Sequence, residues 1–168
     1  MLLGGKYMMR FLVVCLLMLC STPAFASITD YVVKQWNIQN GLPSQSLKSI
    51  AQDEQGYMWL GTQFGLSRFD GNTFTNFNTQ NSDFLPSNGI NKLLVDSTGL
   101  LWVGTKNGLV TLDPKTMMSQ TFNVKGPVRD ILEDSKGSIW IAANGLYFVA
   151  RNQVTLNQNS ALVVPVSN

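Results

Sequence analysis

A motif of the form D-x-x-G-x-x-W occurs three times in this chain and constrains its fold more than any other feature. The copies begin at Asp53, at Asp96 and at Asp134, at intervals of 43 and 38 residues. The first two copies also align without a gap from Pro43 and Pro86 onward, and the third is one residue shorter after its tryptophan. Self-similarity at such a period indicates a repeat architecture in which each copy folds as one supersecondary unit.

Each copy has the pattern of a four-stranded antiparallel meander. In the first copy, short runs of alternating or apolar residues predict strands over 46–52, 58–62, 66–69 and 73–78. The D-x-x-G segments place Asp first and Gly fourth in a type I turn. The pairs Asn107-Gly108 and Asn144-Gly145 predict type I′ hairpins, which need two residues with positive φ.

A four-stranded unit repeated about every 40 residues is typical of a propeller blade, so we predict an all-β fold, a partial β-propeller. The predicted four-stranded blades cover about 46–78, 90–122 and 128–156. Tyr31–Ile38 is predicted to be a closing strand of a split blade, and 160–168 the start of a further blade. Propellers need about four blades to close. The chain is therefore expected either to be a fragment of a longer polypeptide or to assemble with other chains.

The N-terminus predicts a signal peptide over residues 1–26. Lys6 and Arg10 precede the apolar run 11–19, and Ala24-Phe25-Ala26 provides a small-residue cleavage site. The apolar run is far shorter than the ~20 residues of a membrane span. We predict cleavage after Ala26, a periplasmic protein and no transmembrane helix in the mature chain; an uncleaved N-terminal anchor is the alternative.

Composition excludes most catalytic chemistry. Both cysteines, Cys15 and Cys20, lie in the signal, and the chain has no histidine. These absences remove Ser-His-Asp and Cys-His arrangements, disulfides and imidazole zinc sites. We therefore predict no catalytic residues, no metal site and no cofactor. Without Lys6 and Arg10, ten basic and ten acidic residues remain, and this balance argues against a nucleic-acid partner.

The repeated residues are expected to be structural, because large periodic aromatic residues usually pack the core and Asp and Gly form turns. A ligand-stacking role for the tryptophans is the less favoured alternative. The structural repeat positions are Asp53, Gly56, Trp59, Gly65, Asp96, Gly99, Trp102, Gly108, Asp134, Gly137, Trp140 and Gly145. Candidates for ligand binding lie at the second hairpin of each blade, where loops surround the mouth of a propeller channel. They are Gln63, Phe64, Lys106, Asn107 and Asn144.

The repeat resembles the two-component regulator propeller repeat. The resemblance rests on Asp53-x-x-Gly56-x-x-Trp59-Leu60-Gly61-Thr62-x-x-Gly65-Leu66, on its second copy from Asp96 to Leu109, and on Gln35-Trp36-x-x-x-x-Gly41-Leu42-Pro43. The third copy departs from it with Ala142-Ala143 in place of Gly-Thr.

This resemblance implies the N-terminal part of a periplasmic sensor. In the family, seven-bladed propellers precede a β-sandwich, a transmembrane helix and a cytoplasmic output domain, usually a histidine kinase or a diguanylate cyclase. The implied partners are an extracytoplasmic ligand, commonly derived from carbohydrate, and a second copy in a homodimer of the complete protein. The alternatives are a fragment of a propeller lyase and a structural repeat protein that acts through assembly.

Overall fold

The computed structural model describes residues 32–151 and 164–165. The chain divides into a unit that ends at Gln35 and a unit that begins at Trp36. Residues 32–35, the described part of the first unit, are exposed and have no regular secondary structure. The predicted signal peptide and its cleavage site lie outside the described residues. No helix among those residues is long and apolar enough to cross a membrane.

The second unit contains three four-stranded antiparallel sheets, each formed by strands in chain order. The first sheet comprises β1 (Leu47–Gln52), β2 (Met58–Thr62), β3 (Leu66–Phe69) and β4 (Phe74–Phe77). The second comprises β5 (Ile90–Val95), β6 (Leu101–Thr105), β7 (Gly108–Leu112) and β8 (Ser119–Phe122). The third comprises β9 (Asp130–Glu133), β10 (Ile139–Ala143), β11 (Gly145–Val149) and β12 (Val164–Pro165). The predicted all-β fold with three propeller blades is confirmed.

Apolar side chains from neighbouring sheets pack together between the blades. Trp59 of the first blade lies in one cluster with Leu93 and Val103 of the second. Trp102 of the second blade lies in another cluster with Ile131 of the third. Trp59 and Trp102 are fully buried, so these two repeated tryptophans form the hydrophobic contact between adjacent blades.

The glycine two residues after each of these tryptophans allows close approach of the next blade. A Cβ added at Gly61 would lie 2.8 Å from Cγ2 of Ile90, and one at Gly104 would lie 2.6 Å from Cγ1 of Val128. Both distances are shorter than carbon atoms tolerate, so the blades could not pack this closely with a side chain at either position.

The second hairpins of the second and third blades were predicted to be type I′ turns, and the structure gives them another conformation. Among the described residues, the one non-glycine residue with positive φ is Met117, so Asn107 and Asn144 do not adopt that conformation. In the second blade, Thr105 supports the hairpin instead. Its Oγ1 donates to the Gly108 carbonyl at 2.9 Å and accepts from the Asn107 N–H at 3.1 Å. The hydroxyl therefore satisfies two backbone groups of this tight turn.

The two predicted terminal strands are also corrected. Residues 32–37 form no strand, and Ile38–Asn40 form a short 3-10 helix. An extended segment is a strand only when a neighbour supplies hydrogen bonds, and no described strand pairs with 32–38. Val164–Pro165, in the segment predicted to start a further blade, pairs with β11 and forms the fourth strand of the third blade. The outer edge of β11 offers unpaired backbone groups, and this later segment satisfies them.

Candidate functional site

The sequence-predicted ligand residues lie on exposed loops at one edge of the three blades. In a four-stranded meander, the second hairpin and the connection to the next blade lie at the same edge. Gln63 and Phe64 occupy this hairpin in the first blade, Lys106 and Asn107 in the second, and Asn144 in the third, and all five are exposed. We call this side of the molecule the hairpin edge.

The structure places two of these tips beside the connection that leads into the first strand of the same blade. The Lys106 N–H donates to the Gly89 carbonyl at 2.8 Å. The Lys106 side chain runs so close to Gly89 that a Cβ there would lie 2.6 Å from Cδ of the lysine. Asn144 covers Gly126 in the same way, and its Nδ2 atom would collide with an added Cβ. The glycines therefore leave room for the polar tip to fold back over the connection.

Sequence reasoning missed a row of polar residues on the first strands of the blades. Strand β1 contacts β5, and β5 contacts β9, so these strands lie where the three blades converge. The Lys48 ammonium group donates to Oδ1 of Asn91 at 3.2 Å. The Asn91 amide donates to the Val128 carbonyl at 2.9 Å. These two hydrogen bonds connect all three blades through polar side chains.

A second set of polar contacts follows one residue further along the same strands. The Lys92 ammonium group lies 2.7 Å from Oδ1 of Asp130. The hydrogen bond from this lysine lowers the pKa of the Asp130 carboxyl group, so the aspartate remains ionised at neutral pH. In the preceding pair of blades, the Ser49 hydroxyl accepts from the Leu93 N–H at 2.9 Å.

A bulge in the first strand explains why two successive polar residues occur there. The pairing of β1 with β2 shifts between Leu47 and Ser49, and that of β5 with β6 shifts between Ile90 and Lys92. The bulged residues are Lys48 and Asn91. A bulge removes one residue from the ladder and redirects its side chain, so these residues are available for contacts between blades.

We name one set of five residues on or beside the first strands the inner polar row: Lys48, Asn91, Lys92, Arg129 and Asp130. It contains three cations and one carboxylate, and Lys106 adds a further cation at the hairpin edge. Such groups can donate hydrogen bonds to hydroxyl, carbonyl and anionic oxygen atoms of a polar ligand. The repeat offsets could have revealed the row. Lys48, Asn91 and Arg129 occupy one repeat position, and each has a side chain that ends in N–H hydrogen-bond donors.

The opposite edge, formed by the D-x-x-G turns, joins the blades through charged side chains. Glu54 of the first blade lies 2.9 Å from the Lys115 ammonium group of the second, and this contact raises the pKa of Lys115. The Ser97 N–H donates to Oε2 of Glu133 at 2.8 Å, and the Ser97 hydroxyl donates to Oε1 of the same carboxylate. These acidic residues therefore make contacts between blades.

No group of three or more His, Cys, Asp or Glu side chains that could hold a metal ion occurs within residues 32–151 and 164–165. Buried side-chain polar atoms in that part of the chain all have hydrogen-bond partners. The five predicted ligand residues at the hairpin edge and the inner polar row are together taken as the candidate functional site.

The family described as "Two component regulator propeller" matches residues 41–64, 85–107 and 124–145. These ranges cover the first hairpins of the three blades. A curated protein, histidine kinase P4 of Formosa agariphila, is 36% identical over 58 residues, which cover 34% of this chain and 4% of that protein. The chain therefore spans a small part of the length of the curated relative that it matches.

Solved structures share the blade arrangement. The extracellular domain of a protein described as a hybrid two component system of B. thetaiotaomicron has 23% identity and a TM-score of 0.65, over 73% of this chain and 19% of that one. The extracellular domain of a protein described as a one component system of the same organism has 24% identity and a TM-score of 0.62, over 76% and 18% of the two chains.

An enzyme also shares this fold. The virginiamycin B lyase of Staphylococcus aureus, in a catalytically inactive histidine-to-alanine form with quinupristin, has 14% identity and a TM-score of 0.52. The match covers 67% of this chain and 40% of the lyase. At these identities the likeness concerns the fold, and the chemistry must be argued from the residues of the site itself.

Proposed function

Since this chain belongs to the two-component regulator propeller family, we propose that it forms part of the extracytoplasmic sensor propeller of a membrane signal-transduction protein. The observation that carries the proposal is the coincidence of three matched family repeats with three four-stranded blades. The extracellular placement of similar propellers and the N-terminal signal pattern support a periplasmic location. The output domain would lie in the rest of such a protein.

The ligand we propose is a soluble breakdown product of carbohydrate that binds across the hairpin edge and the inner polar row. Amide and ammonium groups donate to sugar hydroxyl groups, and the exposed Phe64 ring offers a surface for stacking. The inner polar row has more cations than carboxylates, and this charge favours an oligosaccharide that carries uronic acid over a neutral one.

Binding can be tested by isothermal titration calorimetry of the secreted chain with neutral and uronate-containing oligosaccharides. We expect the uronate series to bind and Lys48→Ala to weaken that binding about tenfold or more, the usual effect of losing a hydrogen bond from a charged group. Lys136→Ala is the matched control, because Lys136 is exposed on the first turn of the third blade, at the opposite edge. No binding by any oligosaccharide, or an equal loss in both variants, would contradict the proposed ligand.

A propeller lyase is the second candidate, and the shared fold of virginiamycin B lyase favours it. The inactive form of that enzyme lacks a histidine, and the 168 residues here contain none. We expect no depolymerisation when the chain is incubated with polysaccharides and the products are followed by chromatography. Release of shortened products that Lys48→Ala abolishes would favour the enzyme over the sensor.

A further inference from the structure

The two lysines of the inner polar row are held by partners of different charge. The Lys92 ammonium group lies 2.7 Å from a carboxylate oxygen of Asp130, so a negative charge offsets its positive one. The Lys48 ammonium group instead donates to Oδ1 of Asn91 at 3.2 Å, and this acceptor is uncharged. In the part of the chain that the structure describes, Lys48 forms no ion pair. Its charge therefore remains available to a ligand.

The Asn91 amide is fixed in the orientation that serves Lys48. Its Nδ2 donates to the Val128 carbonyl at 2.9 Å, while its Oδ1 accepts from the lysine. If the amide were turned over, its N–H groups would face the ammonium group and its oxygen would face the carbonyl, and both pairs repel. The half-buried Asn91 therefore presents its acceptor to Lys48 alone.

The repeat position shared by Lys48 and Asn91 contains no carboxylate. Its third member, Arg129, is exposed and forms no ion pair among the described residues. The carboxylate of the row belongs to the next repeat position, where Asp130 pairs with Lys92. The row thus separates a neutralised cation from cations whose charge is not offset.

An amide beside a lysine does something that a carboxylate there would not do. Ordering a lysine side chain costs free energy on binding, and a side chain that is ordered beforehand avoids part of that cost. A carboxylate at position 91 would also order Lys48, but it would offset the charge, as Asp130 does for Lys92. The amide of Asn91 orders the side chain and leaves the charge in place.

We propose that Asn91 is a positioning residue that gives the candidate site its preference for uronate-containing over neutral oligosaccharides. It orders the Lys48 ammonium group without neutralising it, and the ordered cation binds the uronate carboxylate through a charge-assisted hydrogen bond. Lys92, already paired with Asp130, contributes hydrogen bonds to sugar hydroxyl groups instead. The inference rests on the proposed function and assigns the residues that would select its ligand.

The first test is isothermal titration calorimetry of the secreted chain with a uronate-containing oligosaccharide and a neutral one of the same length. Asn91→Ala should raise the Kd of the uronate ligand about tenfold, the effect of losing one charge-assisted hydrogen bond. It should leave the weaker binding of the neutral ligand unchanged. If the amide acts through the lysine, Asn91→Ala should cause no further loss in a chain that already carries Lys48→Ala.

The second test changes the charge at the same position. Asn91→Asp keeps the size of the side chain and an acceptor for Lys48, so it remains informative if Asn91→Ala fails to fold, which circular dichroism would reveal. Uronate binding should weaken about tenfold and lose most of its dependence on sodium chloride, because salt screens exposed charges.

Asn72→Asp is the matched control, because it adds the same charge on the exposed turn between β3 and β4, at the edge opposite the hairpin edge. It should leave the affinity for the uronate ligand and its salt dependence unchanged. An equal effect of Asn72→Asp and Asn91→Asp would mean that the net charge of the chain, and not position 91, sets the preference.

The remaining outcomes distinguish this inference from the proposed function. If no oligosaccharide binds to the wild-type chain, the proposed ligand is wrong and this inference falls with it. If the uronate ligand binds but Asn91→Ala weakens the binding of uronate and neutral ligands equally, the proposed function stands and the positioning role is wrong. A further loss in the Lys48→Ala chain would also overturn the inference, since Asn91 would then act independently of Lys48.

Discussion

The Asp96 carboxylate accepts a 2.7 Å hydrogen bond from the indole Nε1–H of Trp102, and both side chains are buried. The other carboxylate oxygen of Asp96 accepts from the Thr98 and Leu100 N–H groups of the turn, at 2.8 and 3.1 Å. One aspartate thus orders the turn and orients the tryptophan that packs between blades. The same bond joins Asp53 to Trp59 at 2.7 Å.

The first prediction concerns this bond. Asp96→Asn should lower the free energy of unfolding by about 1–3 kcal/mol, because the amide has one acceptor oxygen in place of two and leaves either the buried indole N–H or the N–H groups of the turn unsatisfied. Asp134→Asn should cost less, since Trp140 is only half-buried and its bond to Asp134 is longer, at 3.0 Å. Urea denaturation followed by tryptophan fluorescence measures both.

Asp83→Asn is the control for this comparison, because Asp83 is exposed and should tolerate the change. If Asp96→Asn and Asp134→Asn lowered the free energy of unfolding equally, burial of the indole would not set the strength of the hydrogen bond between aspartate and tryptophan.

The second prediction concerns the close approach of blades. Gly104→Ala should destabilise the chain by about 1–3 kcal/mol, the usual cost of overpacking, since its Cβ would lie 2.6 Å from Cγ1 of Val128. Val128→Ala in the same chain should recover part of this loss by removing the γ-methyl groups. Thermal unfolding would show the effect, and a Gly104→Ala chain as stable as wild type would refute the packing argument.

The third prediction concerns acid stability. The pKa of Asp70 is lowered to about 2, chiefly by the hydrogen bond from the Thr73 N–H, and also by those from the Thr73 hydroxyl and the Asn72 N–H. The usual pKa of an unfolded aspartate is about 3.9, so the ionised carboxylate stabilises the folded state above about pH 4. This stabilisation is lost as the pH falls from about 4 through 2.

We therefore expect Asp70→Asn to lower the melting temperature at neutral pH and to converge with wild type near pH 2. Melting curves recorded from pH 2 to 7 provide the measurement, with Asp83→Asn as the exposed-aspartate control. A difference in melting temperature between wild type and Asp70→Asn that stays constant from pH 2 to 7 would contradict the proposed role of the ionised Asp70 carboxylate in stability.

The fourth prediction concerns export. When the full chain is expressed in a Gram-negative host, we expect a periplasmic product that begins at Ser27, because the basic start, short apolar run and Ala24-Phe25-Ala26 site favour cleavage there. Intact-mass spectrometry of the periplasmic fraction identifies the N-terminus. Replacing Ala24 and Ala26 with arginine should block processing, and an unprocessed membrane-bound wild type would support the anchor instead.

Local sequence patterns predicted most of the blade fold. The D-x-x-G turns and the alternation of apolar residues act over a few positions, so the three meanders and their order follow from the chain itself. The hairpins were harder to predict. Asn107-Gly108 has the composition of a type I′ turn, yet the Thr105 hydroxyl two residues earlier stabilises another conformation.

The candidate site was predicted only in part, for a similar reason. Loop position alone pointed to Lys106 and Asn144 at the hairpin edge. The contact of Lys48 with Asn91 joins residues from different blades, and it depends on a bulge in each first strand. No local sequence pattern predicts such a bulge, although the polar residues repeated at this position could have indicated one.

The sequence by itself determined the number of repeats and the positions of their turns, because these depend on residue types and on spacing along the chain. The tertiary structure decided what the repeated residues contact. It alone showed that Asp96 binds the indole of Trp102 and that Gly104 makes room for Val128. It also placed Val164–Pro165 on β11. Each of these contacts joins residues whose distance in space is set by the packing and pairing of strands, which spacing along the chain does not specify.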